Sequence, residues 1–265
     1  MKNKASLIVV VLLIGIAAAY YYWRPHTQEE SPLPPRAETP LPPPTTVEPL
    51  IRHPLDEAQS KTDGAKPLPP LDASDATMQD TLTGFFGQKA VEEFFGLEDI
   101  VRRFVVTVDN LPRQKVSMRY RLFKPVAGPF LATGEGDNFF ISQTNYGRYK
   151  PYVLLAEAVD VKKLVAVYVR FYPLFQEEYK SLGYPKKYFN DRLVDAIDNM
   201  LATPDAPAPI KLIQPNVLYQ YANTDLEALS AGQKIMIRMG PENAARIRAR
   251  LQELRHELIG HTLRQ

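Results

Sequence analysis

The sequence predicts a mainly α (α+β) protein: a single compact helical domain with a small β-hairpin element, preceded by one transmembrane helix and a disordered proline-rich stalk. Three observations predict it. An uncharged run, Ala5 to Trp23, opens the chain. More than half of the 24 prolines follow between Pro25 and Pro70, and beyond Leu71 apolar residues recur at helical spacing. The chain therefore divides into an anchor at 1–23, a linker at 24–70 and a globular domain at 71–265.

The anchor spans about 28 Å as a helix, close to the thickness of a bilayer hydrocarbon core. Lys2 and Lys4 precede it, and Tyr20, Tyr21, Tyr22 and Trp23 form an amphipathic collar suited to the membrane–water interface. Glu29 and Glu30 follow the span, so the charge bias keeps the amino terminus in the cytoplasm and exports the rest. A signal peptide cleaved after Ala17-Ala18-Ala19 is the rival reading; the apolar run continuing into the aromatic collar favours an uncleaved anchor. The chain has no cysteine, which excludes lipoprotein anchoring. In the linker, apolar residues have no period and cannot offset the entropy of ordering the backbone. Proline stiffens it, and it would reach about 140 Å if fully extended. Pro32-Leu33-Pro34-Pro35 could serve a proline-recognising groove, but a spacer is the simpler use.

Within the domain, Ser74 or Asp75 caps a helix ending at Phe86, with Gly87 as its stop. Helices follow at Lys89–Phe95 and Glu98–Asp109, the second stopped by Asn110-Leu111-Pro112. Phe130–Thr133 and Asn138–Ile141 flank Gly134-Glu135-Gly136-Asp137 as a hairpin. Tyr149–Ala158 is helical. Asp160 caps a long helix to Leu182, kinked at Pro173 and stopped by Gly183. Tyr188–Leu201 is another helix, Ile210–Ile213 and Val217–Tyr221 are short strands, and Pro241 opens a final helix running to about Ile259.

Composition removes most common chemistries. Without cysteine there is no disulfide framework, thiolate metal site or cysteine nucleophile. A net charge of +2 is too balanced for a nucleic-acid coat, so no nucleic-acid partner is expected. The four histidines are His26, His53, His256 and His261, so Leu71 to Arg255 holds no histidine base. His256 and His261 are five apart, about 140° around a helix, where a zinc-protease pair needs four; Gly260 also interrupts them. Gly134-Glu135-Gly136 and Gly232-Gln233-Lys234 lack the spacing of a phosphate loop, and Ser230 and Lys234 lack that of a Ser-x-x-Lys pair. No catalytic residue, metal or cofactor is expected.

Charged and aromatic clusters remain. Asp191, Asp195 and Asp198 recur at i, i+4 and i+7 opposite Phe189, Leu193, Ile197 and Met200, which reads as a solvated face over a buried one. A glycan hydrolase would instead need a second carboxyl facing this stripe across a cleft, from Glu177, Glu178 or Asp109. Lys234 and Arg238 share a face just before the helix at Pro241, an arrangement that attracts anions unless they pair with the aspartate stripe or Asp109. Tyr168, Phe171, Tyr172, Phe175 and Tyr179 form a core stripe, with a sugar-stacking platform as the alternative. Asp109, Asn110, Arg148, Asn190 and Asp191 are the polar residues that could satisfy the tyrosine hydroxyls. In the last helix, Ile247, Leu251, Leu254 and Leu258 are too few heptads for a coiled coil.

Six segments carry a family resemblance: Val108-Asp109-Asn110-Leu111-Pro112-Arg113, Asn145-Tyr146-Gly147-Arg148-Tyr149, Tyr172-Pro173-Leu174-Phe175, Leu182-Gly183-Tyr184-Pro185, Phe189-Asn190-Asp191-Arg192-Leu193-Val194, and Gly232-Gln233-Lys234 through Arg238-Met239-Gly240-Pro241. Together they resemble the domain of unknown function 3014 family across nearly all of 71–255. The resemblance implies a bacterial protein with an amino-terminal membrane segment, a proline-rich spacer and one such domain. It implies no catalytic residues. The residues singled out for binding are Asp109, Asn110, Arg148, Tyr149, Asp191, Arg192, Lys234 and Arg238, all within these segments. The expected protein spans the inner membrane once and presents a non-catalytic binding or scaffolding domain in the periplasm to an envelope protein or peptidoglycan. The alternative is a carboxylate-based hydrolase acting on an envelope glycan.

Overall fold

A computed structural model describes residues 50–55, 67–115, 117 and 119–263. The expected anchor and most of the linker lie outside these residues; none of the described helices is long and apolar enough to cross a membrane. In chain order the elements are α1 (Asp75–Phe86), α2 (Gln88–Phe94), α3 (Ile100–Asn110), β1 (Ala132–Glu135), β2 (Asn138–Ile141), α4 (Gln143–Gly147), α5 (Lys150–Glu157), α6 (Val161–Ser181), α7 (Phe189–Leu201), β3 (Lys211–Ile213), β4 (Gln220–Tyr221), α8 (Thr224–Ala228), α9 (Ala231–Arg238) and α10 (Pro241–Leu263). The architecture is mainly helical with a small antiparallel sheet, as the periodicity predicts.

α6 is the centre. Val165, Tyr168, Val169, Phe171, Tyr172, Leu174, Phe175 and Tyr179 are all buried, and the helix packs against α3, α7 and α10. Each such side chain contributes about 1.5–3 kcal/mol of burial. The facing residues are Ile100, Val101, Val105 and Val108 of α3, Phe189, Leu193, Ala196 and Ile197 of α7, and Leu258 of α10. Phe104, Tyr168, Phe175, Tyr179 and Phe189 pack as an aromatic cluster with ring centroids 4.8–6.4 Å apart. The five-residue stripe is therefore core, and the sugar-platform alternative falls with it.

Caps fix the helix starts. Asp160 Oδ1 accepts the amides of Lys162 and Lys163, as its position before α6 predicts. The expectation for α1 is corrected: Ser74 makes no cap bond and instead donates to the Leu71 carbonyl. Asp75 caps a different helix, its carboxylate accepting the amides of Asp99 and Ile100 at 2.8 Å each and so tying the start of α3 to α1. Ser230 and Gln233 form a capping box on α9.

The β element is larger than a hairpin. β1 and β2 pair with Glu135 opposite Asn138, and β3 and β4 continue the antiparallel order to four strands. The first strand runs two residues later than expected, through Gly134, where a Cβ would lie 1.8 Å from the Asn138 carbonyl oxygen. Only glycine lets the strand continue there, which shortens the loop to Gly136-Asp137. Ile141, Ile210, Leu212, Tyr221 and Ile237 form a second core beneath this sheet, separate from that around α6. α10 also differs from expectation: it passes through Gly260 to Leu263. An interior glycine costs only about 1 kcal/mol relative to alanine, too little to end a helix whose other turns are packed.

Phe189 is completely buried at the first turn of α7 against rings from α3 and α6. Phe189→Ala is expected to lower unfolding free energy by about 3–5 kcal/mol in urea titration; a loss below 1 kcal/mol would show that the aromatic cluster does not hold α7.

Candidate functional site

Seven of the eight sequence-predicted residues fall into three places. The first surrounds Asp109, buried in the last turn of α3. Arg113 Nη2 donates to its Oδ2 at 2.8 Å and Arg192 Nε to its Oδ1 at 3.0 Å. Arg192 also donates to the Asp109 backbone carbonyl, and Arg113 to the Tyr184 hydroxyl at 2.6 Å. Asp109 thus binds α3 to α7 and to the segment after α6. Burial pushes the neighbouring Tyr179 hydroxyl to about 12, with the Asp109 carboxylate adding to the shift. Asn110 is not part of this group: its amide folds back onto the Val106 carbonyl of its own helix.

The second place joins Arg148, Tyr149, Lys234 and Arg238. Asn145, fully buried, accepts from the Leu131 amide at 3.1 Å and from Arg148 Nη1 at 2.7 Å, and donates to the Arg238 carbonyl at 3.1 Å. Arg148 also donates to the carbonyls of Val126, Ala127 and Gly128, pinning that loop. The segment holding Lys234 and Arg238 is helical. Lys234 meets neither the aspartate stripe nor Asp109; its Nζ donates to Glu227 Oε1 at 2.6 Å, while Glu227 Oε2 accepts the Tyr221 amide. Burial pushes Glu227 up, but the Lys234 hydrogen bond, that amide and the nearby cations outweigh it and hold the carboxyl below its ordinary value. The Arg238 guanidinium lies 5.7 Å from the Tyr221 ring centroid. Burial raises Tyr149, with Arg238 and Arg148 pulling it back.

The third place is the α7 stripe, which is not simply solvated. Asp191 accepts the backbone amides of Arg52 at 3.2 Å and His53 at 2.8 Å, and Asp195 accepts Arg52 Nη2 at 2.8 Å. Asp198 is bound by Arg255 of α10. Asn190, fully buried, accepts from the Tyr168 hydroxyl at 3.0 Å, as expected, and donates to the His53 carbonyl at 2.9 Å. Leu55 then buries itself in the main core. Sequence reasoning found no role for Ile51–Leu55, nor for Asn145, Glu227 and Gln176. Gln176 accepts the Tyr172 hydroxyl and the Phe189 amide and donates to the Lys187 carbonyl, so it caps α7 from inside the core.

Glu178 does not face the stripe as an acid–base partner. It is buried on α6 with Arg102 Nε 3.8 Å away, and its Oε1 has no hydrogen-bond partner among the described residues. Burial raises it above 4.5, reinforced by Asp99 and Glu177 and opposed by Arg102 and Ser181.

Two expectations follow from these networks. Asp109 is buried but Arg113 and Arg192 are partly exposed and keep access to water, so Asp109→Ala is expected to cost about 1–3 kcal/mol, the range for hydrogen bonds to a charged group. A double-mutant cycle with Arg192→Met should give non-additive losses; additive ones would deny the coupling. Glu178 holds its proton in the folded chain at a pH where the unfolded chain has released it, so its contribution is greatest below the ordinary carboxylate range and lost as pH rises through the folded value. The stability of Glu178→Gln relative to wild type should therefore increase from acid to neutral pH in parallel urea titrations, and a pH-independent difference would refute this.

The protein-family model described as "Protein of unknown function (DUF3014)" matches residues 100–255, from the start of α3 into α10. No curated protein matches the chain, and no solved structure does. The matched stretch is more than half of the chain and contains all eight candidate residues, though not the Arg52–Leu55 segment that meets α7, and the chain therefore belongs to the family "Protein of unknown function (DUF3014)".

Proposed function

We propose that the chain is a single-pass protein of the bacterial inner membrane that holds its domain in the envelope as a non-catalytic binding or scaffolding module. The apolar run with its leading lysines and trailing aromatic collar supports the membrane placement. The observation that carries binding over hydrolysis is how the carboxylates are used. Asp109 serves Arg113 and Arg192, Asp191 the amides of Arg52 and His53, Asp195 serves Arg52, and Asp198 serves Arg255. A glycan hydrolase needs one carboxyl free to hold a proton and a second facing it. Here the same groups join segments distant in sequence, which makes a rigid display surface.

An alkaline phosphatase fusion at the carboxyl terminus should be active and a green fluorescent protein fusion dark. Crosslinking in cells should capture an envelope protein or peptidoglycan. The reading fails if the purified chain cleaves peptidoglycan and Asp191→Asn abolishes the cleavage while keeping the fold.

A further inference from the structure

We propose that the α7 edge formed by Asn190, Asp191 and Asp195 is a docking site for a bent, arginine-containing segment of a partner protein, and that the chain's own Ile51–Leu55 occupies it at rest. This rests on the binding-module reading above and names the class of ligand.

The occupant shows what the site recognises. Asn190 Nδ2 donates to a backbone carbonyl, and the two oxygens of Asp191 accept two successive backbone amides. These contacts read main chain, and two successive amides reach one carboxylate because the chain bends at Arg52 and His53, so the site accepts a peptide that makes this bend. Selectivity comes from two side-chain positions: Asp195 takes a guanidinium, and three residues further on the core takes a leucine. The reading groups are fixed in advance. Asn190 is oriented by the Tyr168 hydroxyl, which occupies its carbonyl and leaves the amide to face the docked chain. With the strap gone and nothing in its place, that amide would lose its partner, so the site favours having an occupant.

The charged half of the strap is built to exchange. The Arg52 and Asp195 side chains are 53% and 40% exposed, and such solvent-screened pairs contribute little. What keeps the strap in place is Leu55, the backbone hydrogen bonds to Asn190 and Asp191, and its covalent attachment. A tether of this kind holds a segment at an effective concentration of about a millimolar. A second copy offers the same segment without that advantage, since its own site holds it equally well. A partner segment displaces the strap when it fits better or is concentrated beside it in the same envelope.

The test uses the full-length chain in nanodiscs and a fluorescein-labelled peptide with the sequence of Glu48–Leu55. In the strap-released variant Arg52→Ala/Leu55→Ser, the peptide should bind at least about tenfold more tightly than to wild type, where the tethered strap competes. Adding Asp195→Lys should abolish that gain, and a peptide with Glu in place of its Arg should restore it. If the released variant does not fold, Asp195→Lys alone replaces it, because it touches only the exposed ion pair; the Glu peptide should then bind it more tightly than the Arg peptide, with the reverse preference in wild type. The proposal is overturned if a folded released variant binds no better than wild type, or if charge exchange changes nothing. It is also overturned if light scattering shows the released variant forming dimers that the peptide cannot dissociate, which would make a second copy the occupant. Loss of peptide binding with the envelope crosslink intact removes this site and leaves the scaffold reading standing.

Discussion

The burial of α6 on nearly every side sets the terms for everything around it. A helix so enclosed can be apolar throughout at no cost, but this one carries Tyr168, Tyr172 and Gln176 into the interior, and each buried polar group needs a partner. Tyr172 finds Gln176 on its own helix, and the other partners come from the start of α7. Asn190 accepts from Tyr168, and Gln176 accepts the Phe189 amide, so the first turn of α7 is located by hydrogen bonds from α6 as well as by the Phe189 ring. Once that turn is fixed, Asp191 and Asp195 face Arg52, while Arg192 reaches Asp109 on α3. One set of buried contacts therefore decides both the ion network within the domain and the face on which the strap lies.

The polar networks join elements in pairs. Asp109 joins α3 to α7, Asn145 joins the loop before β1 to the end of α9, and Asp75 joins α1 to α3. Buried ion pairs contribute little net stability compared with apolar replacements, because desolvation offsets most of the attraction. Their effect is selective, since a mispacked arrangement would leave charges and amides unpartnered. The networks thus hold the helices and the sheet to one arrangement.

Much of the fold was legible in the sequence. The long helix with its Asp160 cap, the α7 stripe and the final helix opened by Pro241 all follow from apolar spacing and cap chemistry within a few neighbouring residues. The misses have tertiary causes. The sequence offers Ser74 or Asp75 as the cap of α1, but Ser74 bonds back to Leu71 and Asp75 reaches across to α3. The strands expected at Ile210–Ile213 and Val217–Tyr221 form, the second only over Gln220–Tyr221, but their joining to the hairpin in one sheet depends on Phe139 and Phe140, about seventy residues earlier. Of the candidate site residues, Asp109, Arg192, Arg148, Tyr149, Lys234, Arg238 and Asp191 do lie in charged networks, while Asn110 only serves its own helix.

The sequence by itself determined much of the inventory: where the longer helices form, which of their faces are apolar, and the single uncharged run at the amino terminus. These are local properties, set by spacing over a turn or two and by the size and polarity of each side chain. Only the tertiary structure decided which charge meets which. Arg52 and Asp195 are separated by 143 positions and Asp109 and Arg192 by 83, and no local pattern links them. Ionic pairing depends on the distance between side chains in space, and that distance exists only after α6 has drawn the helices around it.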